Sequence, residues 1–307
     1  MSEEAQTSGT VLMVRPKSFG FHAEAARSNV FANDSSNADL DAAVREFDGV
    51  VDALTKAGVE VLLLDDSADP AKPDAVFPNN WVTFHADGTI VLYPMANEAR
   101  RLERNPDALR KLLQSNGFEV RQVIDLSFHE RNGHFLEGTG SLVLDRAKRR
   151  AFANLSPRTD AAVIADFDDR LDFSTLIFDA RDRAGRPIYH TNVAMSFGSR
   201  FAMLCTDAIA PDFRELLTGE IEAGGRTLIE VDYEQMRQFA CNLIELKGRD
   251  GPVIALSSVA LRSYRPDQRR VLERFGDLVE ADIPTIETVG GGSVRCMITD
   301  IHLPRLA

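Results

Sequence analysis

Short apolar runs of strand length alternate with amphipathic stretches along this chain, and their order repeats: a strand or hairpin, a helix, then another strand. Successive copies lie roughly sixty residues apart. Val11-Leu12-Met13-Val14 opens the first copy, a helix is predicted over 39–57 with Gly58 as its stop, and Val59-Glu60-Val61-Leu62-Leu63-Leu64 follows. The second begins with Trp81-Val82-Thr83-Phe84, turns at Asp87-Gly88, returns through Thr89-Ile90-Val91-Leu92-Tyr93 and predicts a helix over 98–115. Asp-Gly between alternating apolar residues signals a hairpin.

The third copy pairs Ser141-Leu142-Val143-Leu144 with Arg150-Ala151-Phe152-Ala153, places a helix after Thr159 and ends at Thr175-Leu176-Ile177-Phe178. The fourth joins Val193-Ala194-Met195-Ser196 to Phe201-Ala202-Met203-Leu204, then predicts a helix from Pro211 and a strand over 226–231. In the fifth, Leu243-Ile244-Glu245-Leu246 and Val253-Ile254-Ala255-Leu256 flank an Asp250-Gly251 turn, before a helix over 266–275 and a last strand after Cys296. Units too small to bury their own apolar faces imply a ring about a shared axis, folded as one α/β domain over 1–307. The competing architectures are a doubly wound parallel sheet and two α/β domains, and the hairpin in each copy argues against an all-parallel sheet.

Polar residues interrupt the pattern at equivalent places: Asn79-Asn80 before Trp81, Glu137 before Gly138, His190 and Asn192 before Val193, Asn242 before Leu243, Cys296 before Met297. In a ring, those strand starts converge on one end of the axis and gather Cys, His, Glu and Asn in one pocket. Cys296 follows Gly290-Gly291-Gly292-Ser293-Val294-Arg295, a pliable loop that lets a ligand approach, beside a cationic neighbour that favours a thiolate. His190 is the candidate to take and return the proton, and Glu137 could orient the imidazole or accept hydrogen bonds from a nitrogen-rich substrate. His134, close to Glu137, is a supporting candidate; His22, His85, His129 and His302 read as solvent-exposed bystanders, and Cys205 and Cys241 as core thiols.

The 307 residues, 44% hydrophobic and 27% charged, suffice for a large core, and a net charge of -12 repels nucleic acid and anionic lipid. Three widely spaced cysteines without a CxxC pair suit a reducing cytoplasm. Residues 1–9 lack the pattern of a secretion signal, and no apolar stretch is long enough for a membrane span. No HxH, HExxH or paired Cys/His spacing points to a metal, and the triple glycine lacks the Lys-Ser/Thr ending of a phosphate loop. The segment 19–36, polar and aperiodic, is the candidate lid, and the exposed edges of the first and last units would suit a homodimer.

Phe77-Pro78-Asn79-Asn80, Phe135-Leu136-Glu137-Gly138, His190-Thr191-Asn192 and the terminal Gly-Gly-Ser-Val-Arg-Cys296 stand in the order found in the guanidine-modifying superfamily. The chain resembles its arginine deiminases, dimethylarginine dimethylaminohydrolases and amidinotransferases over nearly its whole length. The resemblance implies a five-bladed α/β propeller and a catalytic Cys296/His190/Glu137 set. Ser156-Pro157-Arg158-Thr159 and the pair Arg100-Arg101 are similar to segments whose arginines bind the α-carboxylate of an amino-acid substrate, a task suited to a planar guanidinium.

Two departures bear on specificity. Arginine-specific members tend to carry aspartate where this chain has Asn80, and deiminases and amidinotransferases another at Asn192. Amides suit a neutral ureido group, and each lost charge-assisted bond would weaken guanidinium binding by roughly 1–3 kcal/mol. The resemblance therefore leans toward the citrulline-utilisation branch: Cys296 attacks the ureido or guanidino carbon, His190 protonates the departing nitrogen, and water completes the hydrolysis without a cofactor. An amidinotransferase or arginine deiminase on the same scaffold and a non-catalytic amino-acid sensor are the alternatives. A papain-like peptidase would place its cysteine early in the chain, not after Glu and His.

Overall fold

The computed structural model describes residues 4–34 and 39–306. Among these, the strands form five three-stranded sheets, the blades of an α/β propeller. In blade two, Val82–Phe84 pairs antiparallel with Thr89–Leu92, which pairs parallel with Gln122–Asp125. Blade three repeats this with Val143–Asp145, Arg150–Asn154 and Ser174–Phe178, blade four with Met195–Phe197, Phe201–Leu204 and Thr227–Glu230, and blade five with Ile244–Lys247, Pro252–Ser257 and Asp277–Ala281. A tight turn suffices for the antiparallel step, whereas the parallel step needs the crossover that each unit's helix supplies.

The middle strands read as continuous apolar runs because both their faces are covered, and their side chains alternate between two neighbouring wedges of core. Val11 and Met13 pack with Ile244, Leu246 and the helix Leu40–Lys56, while Leu12 and Val14 pack with Trp81, Val82 and Phe84. Ile90 and Leu92 likewise face the second of these wedges, while Val91 and Tyr93 join Leu144 and Ala151 in the next. The outer strand Glu60–Asp65 alternates between exposed and buried positions, as an edge strand must.

Blade one differs from the sequence expectation. Its middle strand, Thr10–Arg15, pairs parallel with Glu60–Asp65 and antiparallel with Thr299–Asp300. The strand after Cys296 therefore completes the first blade and closes the ring, and blade five ends instead on Asp277–Ala281, whose polar sequence Asp-Leu-Val-Glu-Ala gave no apolar run. The helix expected over 98–115 is two pieces, Glu98–Arg101 and Pro106–Ser115. Asn105 caps the second piece, and Pro106, which has no N–H to bond back, occupies its first turn.

Two histidines expected in solvent are buried. His85 lies within 3.0 Å of Thr83 Oγ1, and His302 within 2.7 Å of Asp300 Oδ2, in a polar cluster where Arg146 also meets Glu4 and Asp300. Each of these nearest partners is two residues away in sequence, and the fold adds Glu4, 3.8 Å from His85, from the start of the chain. No helix of the described residues is long and apolar enough to cross a membrane.

Candidate active site

Four of the five inner strands are immediately preceded by a short helical turn, and these turns carry most of the polar residues picked out in the sequence. They are Pro78–Asn80, Gly138–Ser141 capped by Glu137, Thr191–Ala194 capped by His190, and Val294–Met297 with Cys296 inside it. Cys296 thus sits in a helical turn and not at a strand start; sheet pairing begins at Thr299. Two glycines allow the turns to touch. Gly138 has φ +44, and a Cβ there would lie 2.2 Å from the Asn79 carbonyl oxygen; at Gly140 it would lie 2.8 Å from His190 Nδ1 and 2.5 Å from Asn80 Nδ2.

Glu137 is wholly buried and saturated with protein donors. Its Oε2 lies 2.8 Å from His190 Nε2 and 3.3 Å from Arg158 Nη1, and its Oε1 accepts from the Ala96 amide at 3.0 Å. Burial alone would raise its pKa, but Arg158, the His190 hydrogen bond and Arg100 hold the carboxyl below the usual range. Burial in turn pushes the His190 imidazole down, against the pull of Glu137. An ionised Glu137 beside a neutral imidazole fixes the tautomer: Nε2–H donates to the carboxylate, and Nδ1 keeps its lone pair.

The sulfur of Cys296 meets two amides, Asn242 Nδ2 at 3.3 Å and Asn192 Nδ2 at 3.8 Å. Asn242 Oδ1 accepts the Arg295 amide at 3.0 Å, which orients the other end of the side chain toward the thiol. The Arg295 guanidinium, expected to assist the thiolate, is spent elsewhere: it donates to the Ile298 carbonyl at 2.7 Å and lies 3.6 Å from Asp300.

Four buried polar atoms beside these groups have no hydrogen-bond partner: Asn79 Nδ2 and Oδ1, Asn80 Nδ2, and Asn192 Oδ1. Unmet donors and acceptors beside the Cys296 thiol mark a place for a ligand that has both. Among the described residues no cluster of three His, Cys, Asp or Glu side chains could hold a metal.

The two arginines at 100 and 101 part company. Arg100 is buried, grips Glu103 with two 2.9 Å bonds and donates to Asn80 Oδ1 at 2.8 Å; Arg101 turns away to the Met95 carbonyl and Glu130. Arg158 stacks over Tyr189 and binds the segment expected as a lid, donating to Ser28 Oγ at 2.9 Å and the Ala25 carbonyl at 2.7 Å. Asn29 adds a 3.0 Å bond to the Gly291 carbonyl, so this segment is latched to the glycine loop before Cys296; residues 35–36 of the expected lid lie outside the described residues. His134 pairs with Asp160 at 2.7 Å, apart from the Glu137–His190 pair, and Cys205 and Cys241 are buried, as expected.

The structure therefore brings Cys296, His190, Glu137, Asn80, Asn192, Arg100 and Arg158 to one end of the axis and leaves Arg101 out. It adds Asn242 to the site, and Asp74 and Glu103 around Arg100. Asn242 was legible as the fourth of the five polar strand starts, although no chemistry distinguished it; the two acids matter only through the fold.

Comparison with solved structures supports the architecture. The apo form of ArgZ, an arginine dihydrolase from the ornithine-ammonia cycle in cyanobacteria, superposes with a TM-score of 0.75 at 17% identity, over 97% of this chain and 41% of that one. This chain thus spans about two fifths of full-length ArgZ. The N-terminal domain of ArgZ, as a cysteine-to-serine variant bound to substrate, gives 0.73 at 16% identity and covers 96% of this chain and 99% of the domain. A dimethylarginine dimethylaminohydrolase bearing a 4-chloro-2-hydroxymethylpyridine adduct gives 0.65 at 16% identity, over 95% and 99%. Sequence comparison with curated proteins gives no significant match. The family described as N,N dimethylarginine dimethylhydrolase, eukaryotic, matches residues 15–303, and the chain belongs to it.

Proposed function

We propose that this protein is a cysteine-dependent hydrolase of the C–N bond in the ureido or guanidino group of a free amino acid, with citrulline as the preferred substrate. The observation that carries the preference is the pair of orphaned amide donors, Asn80 Nδ2, which faces Gly140 as His190 Nδ1 does, and Asn79 Nδ2. A guanidinium offers only N–H donors and would leave both unmet; a ureido carbonyl accepts from them, while its N–H groups can reach Asn192 Oδ1. Glu137, already paired with Arg158 and His190, holds the imidazole and offers little free charge to a cation.

In this reading His190 Nδ1 takes the thiol proton, the Cys296 sulfur bonds to the ureido carbon, and the δ-nitrogen departs as the amine of ornithine, carrying the proton from His190. Water then gives up a proton to His190 Nδ1 and displaces the sulfur as thiolate, releasing carbamate, which breaks down to carbon dioxide and ammonia. From arginine the equivalent first departure is ammonia and the product citrulline. No step calls on a cofactor. Asn242 and Asn192 stabilise the sulfur while it carries charge, and Arg158 exchanges its lid contacts for the substrate carboxylate.

A second reading has support in the relatives, which include an arginine dihydrolase and a dimethylarginine dimethylaminohydrolase. Under it, arginine or a methylated arginine is the first substrate. Purified protein incubated with citrulline, arginine and methylated arginines, with and without glycine, separates the readings. Ornithine from citrulline, lost in Cys296→Ala, supports the first; product from arginine alone supports the second; an amidino group on glycine shows transfer. Turnover undiminished in Cys296→Ala removes both hydrolytic assignments.

A further inference from the structure

Glu287 is a buried carboxyl that the proposed reaction does not use. It lies in the π-helical turn Ile286–Gly290 and accepts a 2.7 Å hydrogen bond from Ser293 Oγ, and no Arg, Lys or His pairs with it among the described residues. Burial pushes its carboxyl up, and two further acids, Glu46 and Asp282, act in the same direction against the Ser257 and Ser293 hydroxyls. An uncompensated buried carboxylate is costly, and a bound cation relieves it.

Glu287 lines a cavity of about 780 Å³ between the latched segment and blades four and five. The lining is mixed: an apolar part formed by Phe31, whose ring is 5.1 Å from that of Phe239, with Met236 and Val259, and a polar part with Asp182, Arg183 and Arg186, the last of which pairs with Asp182. None of Cys296, His190 and Glu137 lines it. Arg27 and Arg237, exposed at its margin, make no ion pair among the described residues.

We propose that this cavity binds a primary ammonium group carried on a small apolar body, with Glu287 as the anion that receives it. Such a ligand is either a simple alkylamine or an apolar α-amino acid whose carboxylate meets the arginines at the margin. Because the site shares no residue with the Cys296/His190/Glu137 set, it stands or falls separately from the reaction proposed above.

Calorimetric titration of the full chain with n-butylammonium chloride, L-norleucine and sodium pentanoate tests it. Saturable binding of at least one amine is expected, with none for pentanoate, and affinity should fall at least about tenfold in Glu287→Gln. Met236→Trp, which fills the cavity and leaves the Glu287–Ser293 bond intact, should cause a similar loss; thermal melts establish that each variant is folded. Tighter binding of norleucine identifies the amino-acid form, and tighter binding of butylammonium the simple amine. Absence of saturable binding by either amine, or unchanged affinity in folded Glu287→Gln, overturns the proposal; should that variant not fold, unchanged affinity in Met236→Trp does so.

Discussion

Asn242 places its amide nitrogen 3.3 Å from the Cys296 sulfur while its oxygen holds the Arg295 amide, so one side chain from blade five fixes both the thiol and the backbone beside it. An amide donor steadies a thiolate more than a thiol, because hydrogen bonds to a charged group are the stronger ones. Asn242→Ala is expected to slow turnover by about 10- to 100-fold, the equivalent of one such bond. Alkylation of Cys296 by iodoacetamide at a fixed pH should slow in the variant. An unchanged alkylation rate in a folded variant would mean that Asn242 is only packing.

Glu137→Gln keeps the shape of the side chain but removes the charge that selects the His190 tautomer. Turnover should fall on the order of 10²- to 10⁴-fold. Arg158 also loses a buried partner, so the melting temperature should drop as well. Activity within a few-fold of the parent would contradict the orienting role.

Asn80→Asp keeps an acceptor for Arg100 and replaces the free amide donor by a second acceptor. The ratio of kcat/KM for citrulline to that for arginine should fall by at least about tenfold. A ratio that stays constant would remove Asn80 from substrate discrimination.

The His190 pKa is lowered by burial, so the unfolded chain binds a proton that the folded chain refuses once pH drops below about 6.5. Glu137, lowered by Arg158 and His190 against its own burial, behaves likewise: its contribution is present above about pH 4.5 and is lost as pH falls further. Stability should therefore decline on acidification, starting near the ordinary histidine range. Because Gln does not titrate, the melting temperatures of the parent and His190→Gln should converge as pH falls from 7 to 5; parallel curves would show that His190 is not the group responsible.

Arg158→Ala removes the bonds to Ser28 and the Ala25 carbonyl that latch residues 23–34 over the site. Amide hydrogen exchange in that segment should speed up while exchange in the blade strands stays slow. Equal exchange in both proteins would show that Asn29 and its neighbours hold the segment without Arg158.

Much of this was present in the linear pattern. The hairpin-helix-strand repeat identified the five blades, and Pro211 and the sequence at 201–204 fell where the structure has the helix start and the strand. Glu137, His190 and Cys296 were recognisable as polar interruptions at equivalent positions. What failed was local: Asp277–Ala281 carries too few apolar residues to advertise a strand, and Thr299–Asp300 is too short to show which blade it joins.

Alternation of apolar side chains is a property of the chain itself, since each middle strand must cover two wedges of core whatever surrounds it. Sequence alone therefore determined the blades, the ring and the residue types at its axis. Which donors meet which acceptors depends on distances between turns far apart in the chain. Only tertiary structure could separate Arg100 from Arg101, turn Arg295 away from the thiol, bring Asn242 to it, and bury His85 beside Glu4 from the start of the polypeptide.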